Sequence, residues 1–167
     1  MDKSLPLMAI TNRVHFAIYC VAAGITALAG SLFLVGITWL IANKFGYDPL
    51  GSSESTEEAL SWLDAFGFII FAPVVETFLL ILLLKLLARH GLTPIQSCFA
   101  SCVLWALGHA LIHPMAFVGT ILSFFLFGWG YLAWRSKSGA YGFWAAAIPH
   151  AIVNSAVVSV GMLASGT

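Results

Sequence analysis

The feature that most limits what this chain can fold into is its succession of long apolar stretches with very few charges between them. Of 167 residues, 60% are hydrophobic and only 8% are charged, against roughly 25% charge in ordinary soluble domains. Such a chain has lipid as its solvent. It reads as an integral membrane protein, all-α, a polytopic bundle of about five helical spans. A formal net charge of zero with no basic stripe gives nucleic acid binding no support.

The spans follow from the breaks. The first is expected over about Phe16 to Ala42, long enough to cross with tilt, since a crossing needs about 20 residues. Lys3 and Arg13 precede it, and Ala27 to Ala29 resembles a small-residue cleavage site. The apolar run is nevertheless too long for a signal-peptide core, so an uncleaved span is expected. Asn43 to Glu58 is the one polar segment, rich in Ser, Gly and acids, and reads as a solvated loop. Ser61 to Phe71 is apolar with Asp64 in it, and reads as an interfacial helix leading into the second span. Pro73 is expected to kink or restart the helix, and that span then runs to Arg89. His90 to Pro94 is a turn, with Gly91 as the helix stop. Further spans are expected at about Ile95 to Ile112, Met115 to Trp134 and Ala140 to Leu163. Residues 1–60 thus form an N-terminal span with a polar extracytoplasmic loop, and 61–167 a four-helix membrane core.

With the N-terminus inside, the inner segments hold Lys3, Arg13, Lys85, Arg89, Arg135 and Lys137, six of the seven basic residues. Only Lys44 falls outside, beside Asp48, Glu54, Glu57, Glu58 and Asp64. The excess of cytoplasmic Lys and Arg in membrane proteins therefore predicts a cytoplasmic N-terminus and an extracytoplasmic C-terminus.

Against this background four polar residues stand out. Glu76, His109, His150 and Asn154 each lie inside an apolar run. An ionisable residue within a membrane helix is costly and points to function. Counted from the inner ends of their spans, Glu76 is 13 residues from Arg89, His109 is 13 from Gln96, and His150 and Asn154 are 11 and 15 from Gly139. At about 1.5 Å per residue the four stand roughly 16 to 23 Å above the inner face. His150 and Asn154, four apart, share a helix face. One pocket can hold all four. Read singly, each is also explicable as interhelical hydrogen-bonding glue.

A carboxylate with a histidine can activate water as a general base and pass its proton to a leaving amine. Burial and a neighbouring imidazole tune the carboxylate for that work. A second histidine with an asparagine supplies donors suited to an oxyanion. The set suits peptide-bond hydrolysis without a Ser or Cys nucleophile. Ser155 and Cys102 lie nearby in sequence, but neither has a base beside it. Cys20, Cys98 and Cys102 read as small packing residues, as do Gly24, Gly30, Gly128 and Gly130. Trp105, Trp129 and Trp144 read as interface anchors or pocket walls, and Trp134, next to Arg135, as an anchor.

These residues resemble the CPBP family, which includes the type II CAAX prenyl proteases and the bacteriocin-processing and abortive-infection-type membrane proteins. The match covers about Phe71 to Val158. Ala72, Pro73 and Glu76 fit the start of the family's first motif, Ala-Pro-x-x-Glu-Glu-x-x-Phe-Arg-Gly. Trp105 and His109 fit the second, an aromatic followed four residues on by His. His150 and Asn154 fit the third, His-x-x-x-Asn. The stretch from Phe127 to Arg135 resembles the family's glycine-bearing helix. The resemblance implies an intramembrane endopeptidase in which Glu76 and His109 activate water and His150 with Asn154 form the oxyanion site, with no metal or other cofactor. It implies a membrane-associated peptide or protein substrate and a prokaryotic inner membrane. The chain departs from the pattern at Thr77, where the family has its second glutamate, and at Leu80 and Ile81, where it has Phe-Arg.

Two other readings compete. A metal-dependent protease would draw ligands from His109, His113, Glu76 and His150, although the HExxH pattern is absent. A degenerate, non-catalytic member would act as an immunity factor or as a subunit beside a membrane-protein partner or in an oligomer. A transporter is disfavoured by the lack of an internal repeat.

Overall fold

The computed structural model describes residues 4–49 and 61–165, which are helical apart from short turns and contain no strand. The acidic stretch 51–58 of the expected polar loop lies outside the described residues. The elements are α1 (Ser4–Lys44), α2 (Trp62–Phe66), a π-helical turn (Gly67–Phe71), α3 (Ala72–Arg89), α4 (Pro94–Ala110), α5 (Pro114–Trp134) and α6 (Gly139–Ser165).

The helix ends are written in local chemistry. α1 and α3 both stop at a glycine with positive φ, Gly46 at 74° and Gly91 at 86°. In each case the next N–H reaches back five residues, Tyr47 to Ala42 and Leu92 to Leu87, which closes a Schellman cap. α4 opens on a reciprocal capping box between Thr93 and Gln96, with Pro94 in its first turn. α5 opens on His113, whose Nδ1 accepts from the Met115 N–H at 3.2 Å.

Among the described residues four helical stretches are long and apolar enough to cross a membrane: Arg13–Lys44, Trp62–Arg89, Pro114–Trp134 and Gly139–Leu163. The expected third span, α4, has 17 residues. That is about 25 Å of helix, shorter than a hydrocarbon core of about 30 Å. The integral membrane assignment stands on the other four. Exposed Ile18, Ile25, Phe33, Leu79, Leu82, Leu104 and Val160 are the lipid face of this bundle, where apolar exposure carries no penalty.

The expected kink at Pro73 takes another form. From Trp62 to Arg89 the chain stays helical, and the irregularity is absorbed one turn earlier, in the π turn. There the Ala72 N–H bonds the Gly67 carbonyl five residues back. A proline lacks the N–H of a regular helix and its ring collides with the carbonyl four residues before it. Widening the preceding turn accommodates that ring without stopping the helix.

Ring and side-chain contacts give the order of packing. α1 runs antiparallel to α5, with Ser31 bonded to Ser123 at 2.9 Å and Phe16 against Trp134. It runs parallel to α6, with Cys20 near Trp144 and Gly24 near Ile152. α4 lies antiparallel to α5, Phe99 meeting Phe125 and Trp105 meeting Phe124. The core holds Leu80, Leu84, Cys98, Cys102, Phe124 and Phe127. Cys98 and Cys102 are buried thiols in packing positions. At Gly130 an added Cβ would run into the Tyr19 hydroxyl of α1 and lie 2.8 Å from the Ala145 carbonyl oxygen of α6, so glycine permits the close approach of both helices to α5 there. Trp134 is packed among Phe16, Tyr19 and Tyr141, with the Lys137 ammonium 4.4 Å from its ring centroid.

Candidate active site

Glu76 sits one turn into α3, His109 at the end of α4, and His150 in the middle of α6, just after the internal Pro149. The bundle brings their side chains to one point. Glu76 Oε2 lies 4.0 Å from His109 Nε2 and 3.8 Å from His150 Nε2. These separations exceed a direct hydrogen bond and suit one bridging oxygen atom. Asn154, a turn beyond His150, is placed differently. Its Nδ2 donates to the Phe68 carbonyl in the π turn at 2.8 Å.

Each imidazole is held by its surroundings. His109 Nδ1 lies 2.9 Å from the Trp105 carbonyl, one turn earlier in α4. A carbonyl only accepts, so Nδ1 carries the proton and Nε2 is the atom turned to Glu76. His150 is almost wholly buried, stacked on Phe127 (centroids 4.8 Å apart, 20° between planes) and edge-on to Phe124 at 5.3 Å. Phe124 is in turn stacked on Trp105. The aromatic column Trp105, Phe124, Phe127 thus fixes both histidine rings. Phe124 is absent from the residues singled out in the sequence, and Phe127 enters there only as the first residue of the glycine-bearing stretch. Their one signal is a three-residue spacing on an otherwise uniformly apolar helix, which does not separate them from packing.

The four polar residues share the wall of a cavity of about 450 Å³. The rest of the lining is mainly apolar, with Ser31, Thr120 and Ser123 as its hydroxyl groups. α1 contributes Leu28, Leu32 and Val35, α5 contributes Gly119, Thr120 and Phe124, and α6 contributes Val153 and Val157. The first helix is therefore part of the cavity rather than a separate anchor. His113, the remaining member of the alternative metal set, is used as the cap of α5. Among the described residues no group of three or more His, Cys, Asp or Glu side chains is placed to hold a metal ion.

Comparison with known proteins decides the lineage. The type II CAAX prenyl endopeptidase Rce1-like family matches residues 58–156, more than half of the chain. The chain belongs to that family. It is thus a membrane protein of a peptide-hydrolase lineage, and the matched segment takes in everything from α2 to Asn154. No curated protein and no solved structure matches it.

Within this Rce1-like core, the departures from the family motif cluster on one face of α3. Thr77, Leu80 and Ile81 are all buried. Positions 77 and 81, four apart, lie over one another. A glutamate and an arginine at this spacing lie within reach of each other on a helix, and this chain carries neither. Exchanging both ions for uncharged residues is tolerated in protein interiors, whereas removing one alone leaves an uncompensated charge. Glu76, one residue before Thr77, lines the cavity.

Proposed function

We propose that this protein is an intramembrane endopeptidase that hydrolyses a peptide bond of a membrane-associated substrate. The observation that carries this reading is the convergence of one Glu76 oxygen on two imidazole Nε2 atoms at the wall of an apolar cavity. A water between Glu76 Oε2 and His109 Nε2 gives its proton to the carboxylate as its oxygen bonds the substrate carbonyl carbon. The carbonyl oxygen becomes an oxyanion, met by donors from His150 and Asn154. The proton then passes to the amide nitrogen, the C–N bond breaks, and a carboxylic acid and an amine leave. The apolar lining from α1, α5 and α6 suits an apolar peptide segment on either side of the scissile bond.

The distribution of Lys and Arg supports a cytoplasmic N-terminus and an extracytoplasmic C-terminus, and the family resemblance supports a prokaryotic inner membrane. The exchange at Thr77 and Ile81 favours a second reading, a member that binds without cutting, as an immunity factor or a membrane-complex subunit.

The test compares membrane and secreted peptides by mass spectrometry in host cells carrying wild type, Glu76→Gln or His109→Ala. One precursor accumulating uncut in both variants, with both proteins inserted, is the expected result. Peptide profiles and phenotype identical in all three sink the catalytic reading and leave the binding one.

A further inference from the structure

The π turn ends on a residue that cannot complete it. In this register each N–H reaches the carbonyl five residues back, as Ala72 does to Gly67. The next donor in line serves the Phe68 carbonyl, and it belongs to position 73, a proline with no N–H. The other N–H in helical reach of Phe68, that of Ala72, is already engaged with Gly67. Its own helix therefore leaves the Phe68 carbonyl without a backbone donor. In hydrocarbon an unmet backbone acceptor is costly and calls for a partner from a neighbouring element. That partner is Asn154 Nδ2 on α6, at 2.8 Å. Because a carbonyl only accepts, the contact also settles which way round the Asn154 amide sits.

We propose that Pro73 is a positioning residue for Asn154: by withholding an N–H from the Phe68 carbonyl, it creates the acceptor that holds the Asn154 amide at the cavity wall. The amide nitrogen has two hydrogens. One is engaged by Phe68, and the second is the donor available to a substrate carbonyl. Pro73 itself is fully buried and touches no reacting atom, so its effect on the reaction passes through Phe68 and Asn154. The bond between them follows from the backbone geometry alone. Its consequence for turnover rests on the endopeptidase reading above.

The experiment is a double-mutant cycle on the full chain in detergent, with wild type, Pro73→Ala, Asn154→Ala and the double variant. Pro73→Ala returns an N–H that competes for the Phe68 carbonyl. Asn154→Ala is expected to lower the thermal midpoint in the protein that keeps Pro73. That loss is expected to shrink by more than half once Pro73→Ala is present. Equal losses in both backgrounds overturn the proposal. Should Pro73→Ala fail to insert, a ¹³C label on the Phe68 carbonyl reads the same bond. Its amide I band is expected to move to higher frequency in Asn154→Ala, and an unmoved band overturns the proposal.

Turnover is measured on whichever peptide the wild type cuts. Pro73→Ala is expected to lower kcat by about 10- to 100-fold with KM nearly unchanged, as for a misaimed catalytic group. Wild-type kcat in a folded Pro73→Ala protein overturns the positioning role. Thermal coupling in a chain that cuts nothing supports the bond between Phe68 and Asn154 while sinking the endopeptidase reading.

Discussion

The Trp105 carbonyl accepts from His109 Nδ1 at 2.9 Å, and that one bond within α4 determines which face of the imidazole meets Glu76. With Nδ1 protonated, Nε2 faces a carboxylate oxygen, and two lone pairs repel unless a proton or a polar hydrogen lies between them. The pair is thereby arranged to share a hydrogen, as general acid–base chemistry requires.

Glu76→Gln is the first expected consequence. The amide has nearly the same shape but cannot take the proton. Cleavage of the natural substrate should fall by about 10²- to 10⁴-fold, while the thermal midpoint and membrane insertion stay close to wild type. Assay of purified protein against the accumulated precursor measures this.

The aromatic column makes a separate prediction. Phe127 is 1% exposed and stacks on His150. Phe127→Leu keeps an apolar side chain but removes the ring face that holds the imidazole. It should reduce kcat more than it reduces stability, and His150→Ala should add little further loss in the Phe127→Leu background. Phe127→Ala should destabilise by roughly 3 kcal/mol or more through the cavity left in a tightly packed core.

Gly128 and Gly130 differ sharply although two residues apart. A Cβ at Gly130 would meet the Tyr19 hydroxyl and lie 2.8 Å from the Ala145 carbonyl, whereas at Gly128 its nearest neighbour is Cys98 Sγ at 3.6 Å. A carbonyl in a helix cannot move aside. Gly130→Ala is therefore expected to push α5 and α6 apart and cost about 1–3 kcal/mol, and Gly128→Ala to be near neutral. Thermal unfolding of the two variants in one detergent compares them directly.

The α3 core face gives a fourth. Thr77 is 1% exposed and Ile81 is 8% exposed. Thr77→Glu alone buries a carboxylate with no partner and should destabilise by about 3 kcal/mol or more. Combined with Ile81→Arg, the loss should be smaller than the sum of the two single losses, because the two ions reach each other across one helical turn. Additive losses in the midpoint would show that the two side chains do not meet.

What the chain's order of residues determined alone is the part that each helix settles for itself. A membrane helix satisfies its backbone internally, so hydropathy with Gly91 and Pro94 marked the ends of the later helices to within a few residues, whereas α1 begins at Ser4, well before the expected Phe16. Counting residues along those helices brought Glu76, His109 and His150 to one depth, and the structure brings their nitrogen and oxygen atoms within 4.0 Å. Tertiary structure alone decided the rest. α1 lies beyond the motifs, yet it forms one wall of the cavity because it packs on α5 and α6. The turn before Pro73 takes the π form, and the Phe68 carbonyl it leaves over finds its donor on α6. Asn154 belongs to that carbonyl as much as to the cavity. Local sequence sets which backbone groups a helix can satisfy within itself. Which neighbour meets the one left over depends on how the helices pack, and no single stretch of the chain encodes that.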